Sequence, residues 1–356
     1  MAGEEISPSS YDYAIVGSGA GGGAAACNLA KAAQRVVLLE AGGDHENYNY
    51  QVPALIGLAT EDEDLRWDYY VRHYASDERQ RHDSKFVPDR DEVLYPGVGT
   101  LGGCTAHNAM NGPAAGRVSV EREVIVSAGA FNISQLLKLL GEGSREELTD
   151  LGIEVRVDHP RVGENLRDGQ EVGVIYEMKP VLKAHTLNTA GKVTLRSDDP
   201  RTVPHINFHS FDEGNDTSGD DLEALVEGLK FVRRIMGRTG EVVEKESVSG
   251  KCVSTRELIR EFARNEAWGH HAPCTCKMGL KEDEMAVVDS DFRVHGTTKL
   301  RVVDASVFPR IPGFFIVTAV YMISEKASDV ILADATAGMG FERRMFRRVT
   351  RRGTSG

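Results

Sequence analysis

Residues 12–43, DYAIVGSGAGGGAAACNLAKAAQRVVLLEAGG, constrain the fold more than any other stretch. Tyr13 to Val16 is a short apolar run suited to a buried parallel strand. GSGAGGG then makes a turn, AAACNLAKAA reads as a helix of small residues that can lie close on a sheet, and Arg35 to Leu39 is a second β-branched run ending in Glu40. The glycines fit G-x-G-x-x-G at Gly17, Gly19 and Gly22. The first permits a sharp turn, the second lets backbone approach a pyrophosphate, and the third lets helix and strand pack closely. A helix N-terminus behind such a turn aims N–H groups at phosphates. Glu40 stands where an acidic residue accepts hydrogen bonds from an adenosine ribose. Strand, turn, helix, strand and acid agree on a dinucleotide site, but they do not distinguish FAD from NAD.

The remaining composition narrows the class. The chain has 356 residues, 41% of them hydrophobic, enough for one large or two ordinary cores. Its formal charge of −12 disfavours nucleic acid and anionic membranes as partners. Five cysteines, two of them one residue apart, are not a disulfide framework and suggest a reducing compartment. The opening MAGEEISPSS lacks a secretory pattern, and no apolar run approaches a membrane span, so a soluble cytoplasmic protein is expected. The arginine-rich end, FERRMFRRVTRRG, reads as a disordered, solvated tail, with docking of an anionic partner as the alternative.

Four blocks in order resemble the glucose–methanol–choline (GMC) oxidoreductases. They are the N-terminal fingerprint with its LLEAGG, LYPGVGTLGGCTAHNAMNG at 94–112, VIVSAGAFNISQLLKLLG at 124–141 continued by LGIEVRVDHPRVGENLRD, and HHAPCTCKMG with LRVVDASVFPRIPGFFIVTAVYMISEKASDVI. The resemblance implies FAD as cofactor and oxidation of an alcohol CH–OH group, with hydride passing to flavin N5 and a histidine as base. It implies that Gly102 and Gly103 let backbone lie along the flavin, and that Asn108 hydrogen-bonds it. His107 falls where some members join FAD covalently; a covalent link and a plain hydrogen bond both stay open there. Ala130, Asp304, Ala305 and Thr318 are implied cofactor neighbours. In LRD the family's following His is replaced by Gly169. The same fold also hosts flavin-containing lyases, so that reading stays open beside alcohol oxidation.

WGHHAPCTCKMG, at 268–279, invites two readings. A metal site would use His270 or His271 with Cys274 and Cys276, but C-x-C is tighter than common zinc patterns and no second pair follows; no metal is expected. The resemblance instead aligns His271 with the family's catalytic histidine, with Cys274 replacing its usual glycine. An imidazole with a pKa of about 6.5 suits proton exchange near neutrality. The family's second active-site position, usually His or Asn, falls on Phe315, which has no polar atom. That substitution keeps a flavin-binding protein without alcohol oxidation as an alternative.

GMC members are usually longer, and blocks normally far apart are nearly joined here at PAAGRVSVEREVIVSAGAF. The elements that cover the flavin and shape the substrate pocket are therefore expected to be reduced, leaving apolar surface near the site. In the middle, GKVTLRSDDPRTVPHINFHSF alternates as half-buried strands do. GDDLEALVEGLKFVRRIMGR carries Leu222, Leu225, Val226, Leu229, Val232 and Ile235 at helical spacing, and STRELIREFARNEAW is a second helix capped by Ser254 or Thr255. The expected fold is α/β. A Rossmann-like FAD-binding domain is assembled from residues 1–170 and 280–340, a reduced substrate domain of sheet and helices spans 171–279, and the basic tail spans 341–356. A small-molecule alcohol is the expected partner.

Overall fold

The computed structural model describes residues 11–44, 62, 66–98, 101–103, 118–173, 181–238 and 252–352. Strand β1 (Tyr11–Val16) lies between β2 (Val36–Leu39) and β6 (Val120–Val126), and β13 (Leu300–Val302) flanks β6, giving a parallel sheet in the order β13-β6-β1-β2. Consecutive residues Tyr13, Ala14 and Ile15 are all buried. That pattern belongs to a parallel strand covered on both faces, which is why the sequence is a continuous apolar run rather than an alternating one. Helix α1 (Ala20–Lys31) covers one face with Ala25 and Leu29, and its small residues admit the last helix, α7 (Val317–Arg352), close alongside. Ser324 Oγ, on α7, donates to the Gly21 carbonyl at 2.6 Å. Helix α7 continues through the arginine-rich stretch. Among the described residues, no helix is long and apolar enough to cross a membrane.

One cation pins the far edge of this sheet. Arg301, on β13, is almost fully buried, and its guanidinium donates to both carboxylate oxygens of Glu123 on β6, to the Asp291 carbonyl and to Asp334 on α7. The planar fork suits several acceptors at once, and a buried charge is tolerated only when so paired.

A second, antiparallel layer is built from β3 (Arg66–Val71), β4 (Phe86–Val87) and β5 (Glu92–Val98), in the order β3-β5-β4. Two further antiparallel pairs are β9 (Gly169–Gly173) with β10 (Val181–His185), and β11 (Lys192–Thr194) with β12 (His205–Asn207). The last pair is the one the alternation at 191–211 predicts. Helix α3 (Gly129–Leu139), which follows β6, joins the two layers: its Phe131 ring meets Tyr69 at 5.1 Å and Tyr95 at 5.2 Å, edge-on in both cases. Of the leucines in LLKLL only Leu137 is fully buried, and Leu140 is exposed, because the inward face of α3 falls on Phe131, Ile133, Ser134, Leu137 and Lys138. Lys138 stays inside because Glu147 and the Val193 carbonyl accept from its ammonium, while burial pulls its pKa down.

Helices α5 (Asp220–Met236) and α6 (Arg256–Glu266) form a third core with Tyr74, Val172 and Phe211. Leu222, Leu225, Val226 and Leu229 face it as the 3.6 period requires. Ile235 does not; it lies exposed on the last turn, beyond the reach of α6. The side chain of Thr255 accepts from Leu258 N and caps α6, which chooses between the two capping candidates.

Glu142, at the start of the short strand β7 (Glu142–Gly143), is buried with one carboxylate oxygen unpaired. Burial pushes its pKa from 4.5 to about 7, against a lowering by Arg156. The folded state therefore holds a proton that the unfolded chain releases, so stability falls as pH rises from about 4.5 to about 7. Glu142→Gln should flatten that slope and leave the variant more stable than the parent at pH 8, by roughly 1–3 kcal/mol. Urea midpoints at pH 5 and pH 8 test this; an unchanged slope refutes it.

Candidate active site

Parallel strands end on one side, and here the segments after β1, β6 and β13 meet there, where ligands bind in open α/β sheets. The approach is close enough to exclude side chains. A Cβ on Gly17 would stand 2.3 Å from the Ser127 carbonyl oxygen, one on Gly21 2.0 Å from that of Val303, and one on Gly22 1.9 Å from that of Gly17 itself. Gly17 also has φ +97°, which only glycine adopts freely. The G-x-G-x-x-G reading accounts for Gly17 and Gly22, but the tight position between them is Gly21, which that motif leaves unspecified. Gly103 faces Gly19: a Cβ there would lie 2.9 Å from Gly19 Cα. The glycine pair Gly102-Gly103 thus rests on the fingerprint turn, and Gly102 N donates to Ser18 Oγ at 2.7 Å.

Glu40 ends β2 beside the same turn. Its carboxylate accepts from Ser18 N at 2.7 Å and Ser18 Oγ at 2.5 Å through one oxygen, and from Gly42 N at 3.0 Å through the other. Asp304 follows β13. One of its oxygens accepts from Gly129 N at 2.8 Å, at the start of α3, and the other from the backbone and hydroxyl of Ser306. Complete burial raises its pKa, opposed by those hydrogen bonds. Ala130 is buried in the first turn of α3, and Ala305 accepts Cys274 N through its carbonyl at 3.2 Å. Thr318 is exposed in the first turn of α7. His107 and Asn108 lie outside the described residues.

The histidine loop is tied to this edge by backbone. Cys274, Cys276 and Met278 N–H groups donate to the carbonyls of Ala305, Ser306 and Val307 in turn, and Thr275 Oγ1 donates to Ala130 O at 2.7 Å. Cys274 sits at φ +81°, a conformation that favours the glycine usual in the family. Its thiol and that of Cys276 are wholly buried. Burial lifts the Cys274 thiol to about 12, and burial likewise raises Cys276. Neither offers a thiolate to a metal.

The imidazoles themselves hang from one buried carboxylate. Asp168 Oδ1 accepts from His271 N at 3.0 Å and Gly169 N at 2.7 Å, while Oδ2 accepts from the Tyr95 hydroxyl at 2.9 Å. Tyr95 in turn accepts Ala272 N at 3.2 Å. Gly269 must be glycine to admit this, since a Cβ there would stand 2.2 Å from the Asp168 carboxyl carbon. The His271 ring meets Phe315 edge-on at 5.5 Å, packs 4.1 Å from the His270 ring, and points Nδ1 toward Glu171 Oε1 at 4.0 Å. Phe315, whose ring meets His271, is exposed, as are Phe314, Val317, Tyr321 and Met322 on the segment that carries it. Sequence patterning does not single out Tyr95 or Glu171: Tyr95 falls inside the 94–112 block without a role of its own there, and Glu171 is one polar residue in a short strand.

Residues 188–324 match the GMC oxidoreductase family profile. Over that stretch the chain is similar to the GMC oxidoreductases. Oxygen-dependent choline dehydrogenase from Sinorhizobium fredii is 30% identical over 292 residues, covering 60% of this chain and 52% of that protein. The Staphylococcus saprophyticus protein of the same name is 30% identical, over 59% and 50%. The chain spans about half the length of the curated relatives it matches. Among solved structures, a formate oxidase variant from Aspergillus oryzae superposes with TM-score 0.78 at 17% identity, over 95% of this chain and 100% of that one. A fungal aryl-alcohol oxidase superposes with TM-score 0.71 at 16% identity, over 92% and 99%. At these identities the structural likeness shows the fold alone, a Rossmann-like parallel sheet with an antiparallel layer beside it.

Asp168→Ala should orphan Tyr95 Oη and two buried N–H groups and cost about 3 kcal/mol, whereas Tyr95→Phe should cost about 1 kcal/mol. Urea denaturation checks both; equal costs would show that Tyr95, not the carboxylate, anchors the loop.

Proposed function

We propose that the chain binds FAD and oxidises the CH–OH group of a small alcohol, with His271 as general base. The observation that carries this is the backbone cradle at the C-terminal edge of the parallel sheet, where added Cβ atoms at Gly17, Gly21 and Gly22 would collide with carbonyls. Bare backbone at a strand-to-helix turn is what a diphosphate requires. The start of α1 has no side-chain cap and no acidic residue in its first turn, so nothing negative competes there with an anion. The residues present therefore fit the cofactor. Gly17, Gly19 and Gly22 would hold its pyrophosphate and Glu40 its ribose, through lone pairs that Ser18 and Gly42 leave available on the carboxylate. Gly102, Gly103, Ala130, Asp304, Ala305 and Thr318 would border the rest, with His107 and Asn108 contributing from outside the described segments. Bound FAD supplies a two-electron acceptor that takes the alcohol's hydride at N5.

The protein's own task is the hydroxyl proton. A neutral imidazole at His271 accepts it, and Glu171, nearby in a buried position, stabilises the imidazolium formed. Asp168 holds the loop through His271 N, so the ring's position does not depend on its protonation. The proteins named above are choline dehydrogenases, a formate oxidase and an aryl-alcohol oxidase; a small alcohol is the substrate class that the choline dehydrogenases and the aryl-alcohol oxidase support.

Phe315 favours a second reading, flavin binding without turnover. Its ring lies against His271 and offers no hydrogen bond to a substrate oxygen.

The test is to purify the chain, record its visible spectrum, and add choline and aryl alcohols anaerobically. Bound flavin that bleaches with an alcohol supports oxidation; yellow protein that does not bleach supports the second reading; colourless protein refutes both. Acid precipitation then separates free FAD from flavin held at His107. His271→Ala should keep the flavin and lose about 10²–10⁴ in turnover, and unchanged turnover would remove the histidine from the chemistry.

A further inference from the structure

The geometry points to a divalent transition-metal site formed by Glu171, His270 and His271. One ligand atom from each of the three lies within 4.8 Å of the other two. Glu171 Oε1 is 3.6 Å from His270 Nδ1 and 4.0 Å from His271 Nδ1. An ion bound at about 2.0–2.2 Å in tetrahedral geometry holds its ligand atoms roughly 3.3–3.6 Å apart, so small rotamer adjustments close the site.

The arrangement is unusual for its sequence. Consecutive residues of extended chain point to opposite faces. Here the chain bends so that the His270 and His271 rings lie on the same side, 4.1 Å apart. Three features hold them there. Glu171 and Trp268 exchange two backbone hydrogen bonds, at 2.6 and 3.0 Å, which bring the carboxylate strand against the histidine loop. Asp168 accepts from both Gly169 N and His271 N, fixing the same two segments a second time. The Trp268 ring packs 4.9 Å from His270. These contacts orient the ligand-bearing segments, as partners outside a coordination sphere commonly do.

The donor set selects the ion. Two neutral imidazoles and one carboxylate suit Zn²⁺, Co²⁺, Ni²⁺ or Cu²⁺ rather than Mg²⁺ or Ca²⁺. The Glu171 side chain is 7% exposed and that of His270 36%, so one wall is buried and the other faces solvent, giving an ion an entry path.

The site has a chemical consequence. A neutral imidazole has one acceptor nitrogen. When His271 gives Nδ1 to a metal, its other nitrogen carries the hydrogen and cannot take a proton. Bound metal would therefore switch off the base assigned to His271. That consequence rests on the proposed function; the metal site does not.

Chelator-treated protein titrated with Zn²⁺ in a calorimeter should bind one ion per chain, and Co²⁺ should give visible ligand-field bands. His270→Asn, at a solvent-facing position, and Glu171→Gln should each weaken Zn²⁺ binding by about 100-fold or more. Binding should also weaken below about pH 6, as the imidazoles protonate. Absence of a stoichiometric heat, or binding that both variants leave unchanged, would overturn the site. Stoichiometric Zn²⁺ binding that spares alcohol turnover would leave the site standing and count against His271 as base.

Discussion

Close approach of backbone to backbone at one edge of a four-stranded parallel sheet is the constraint on which this structure depends. Gly17, Gly21 and Gly22 are packed against carbonyl oxygens of Ser127, Val303 and Gly17 at separations no Cβ tolerates. The same contacts that bring α1 onto β6 and β13 leave a turn lined only by main chain. Stability and ligand capacity therefore share their atoms: a side chain that blocked a phosphate here would first prevent the sheet from closing. Asp304 extends the device, since one buried carboxylate joins the segment after β13 to the first N–H of α3.

The histidine loop is organised differently. Its backbone from 274 to 278 runs along residues 305–307, the segment that follows β13. Its orientation is then settled by Asp168 and Tyr95, which belong to the antiparallel layer. Two layers with separate cores thus converge on one imidazole, and Phe131, wedged between Tyr69 and Tyr95, keeps them in step. The buried polar groups at this junction are paired, and pairing is what makes such a junction rigid rather than merely costly.

Much of this was legible in the amino-acid order because local rules carried it. The run Tyr13–Val16, the glycine spacing and the acid at Glu40 announce a strand, a turn and a second strand without reference to anything distant. The inward faces of α5 and α6 followed from helical period. Failures occurred where a neighbour decides. Leu140 and Ile235 satisfy the period but sit at helix ends past the packing partner. Tyr95, Asp168 and Glu171 act across separations of 73 to 177 residues in sequence, and no short window contains both members of such a pair. The C-x-C spacing already argues against Cys274 and Cys276 as ligands, but their burial is not written there: spacing reports proximity along the chain, whereas burial determines whether a sulfur ionises.

Cys274 itself has a consequence for how long such a site lasts. An exposed thiol three residues from the proposed base of a flavin site would ordinarily be an early casualty of an oxidant, because the thiolate is the species that reacts. It is fully buried, and that burial lifts its pKa to about 12, so it stays a thiol at neutral pH. The left-handed bend that turns the sulfur inward therefore serves as corrosion protection, and the chain keeps a cysteine in a place where an exposed one would be spent.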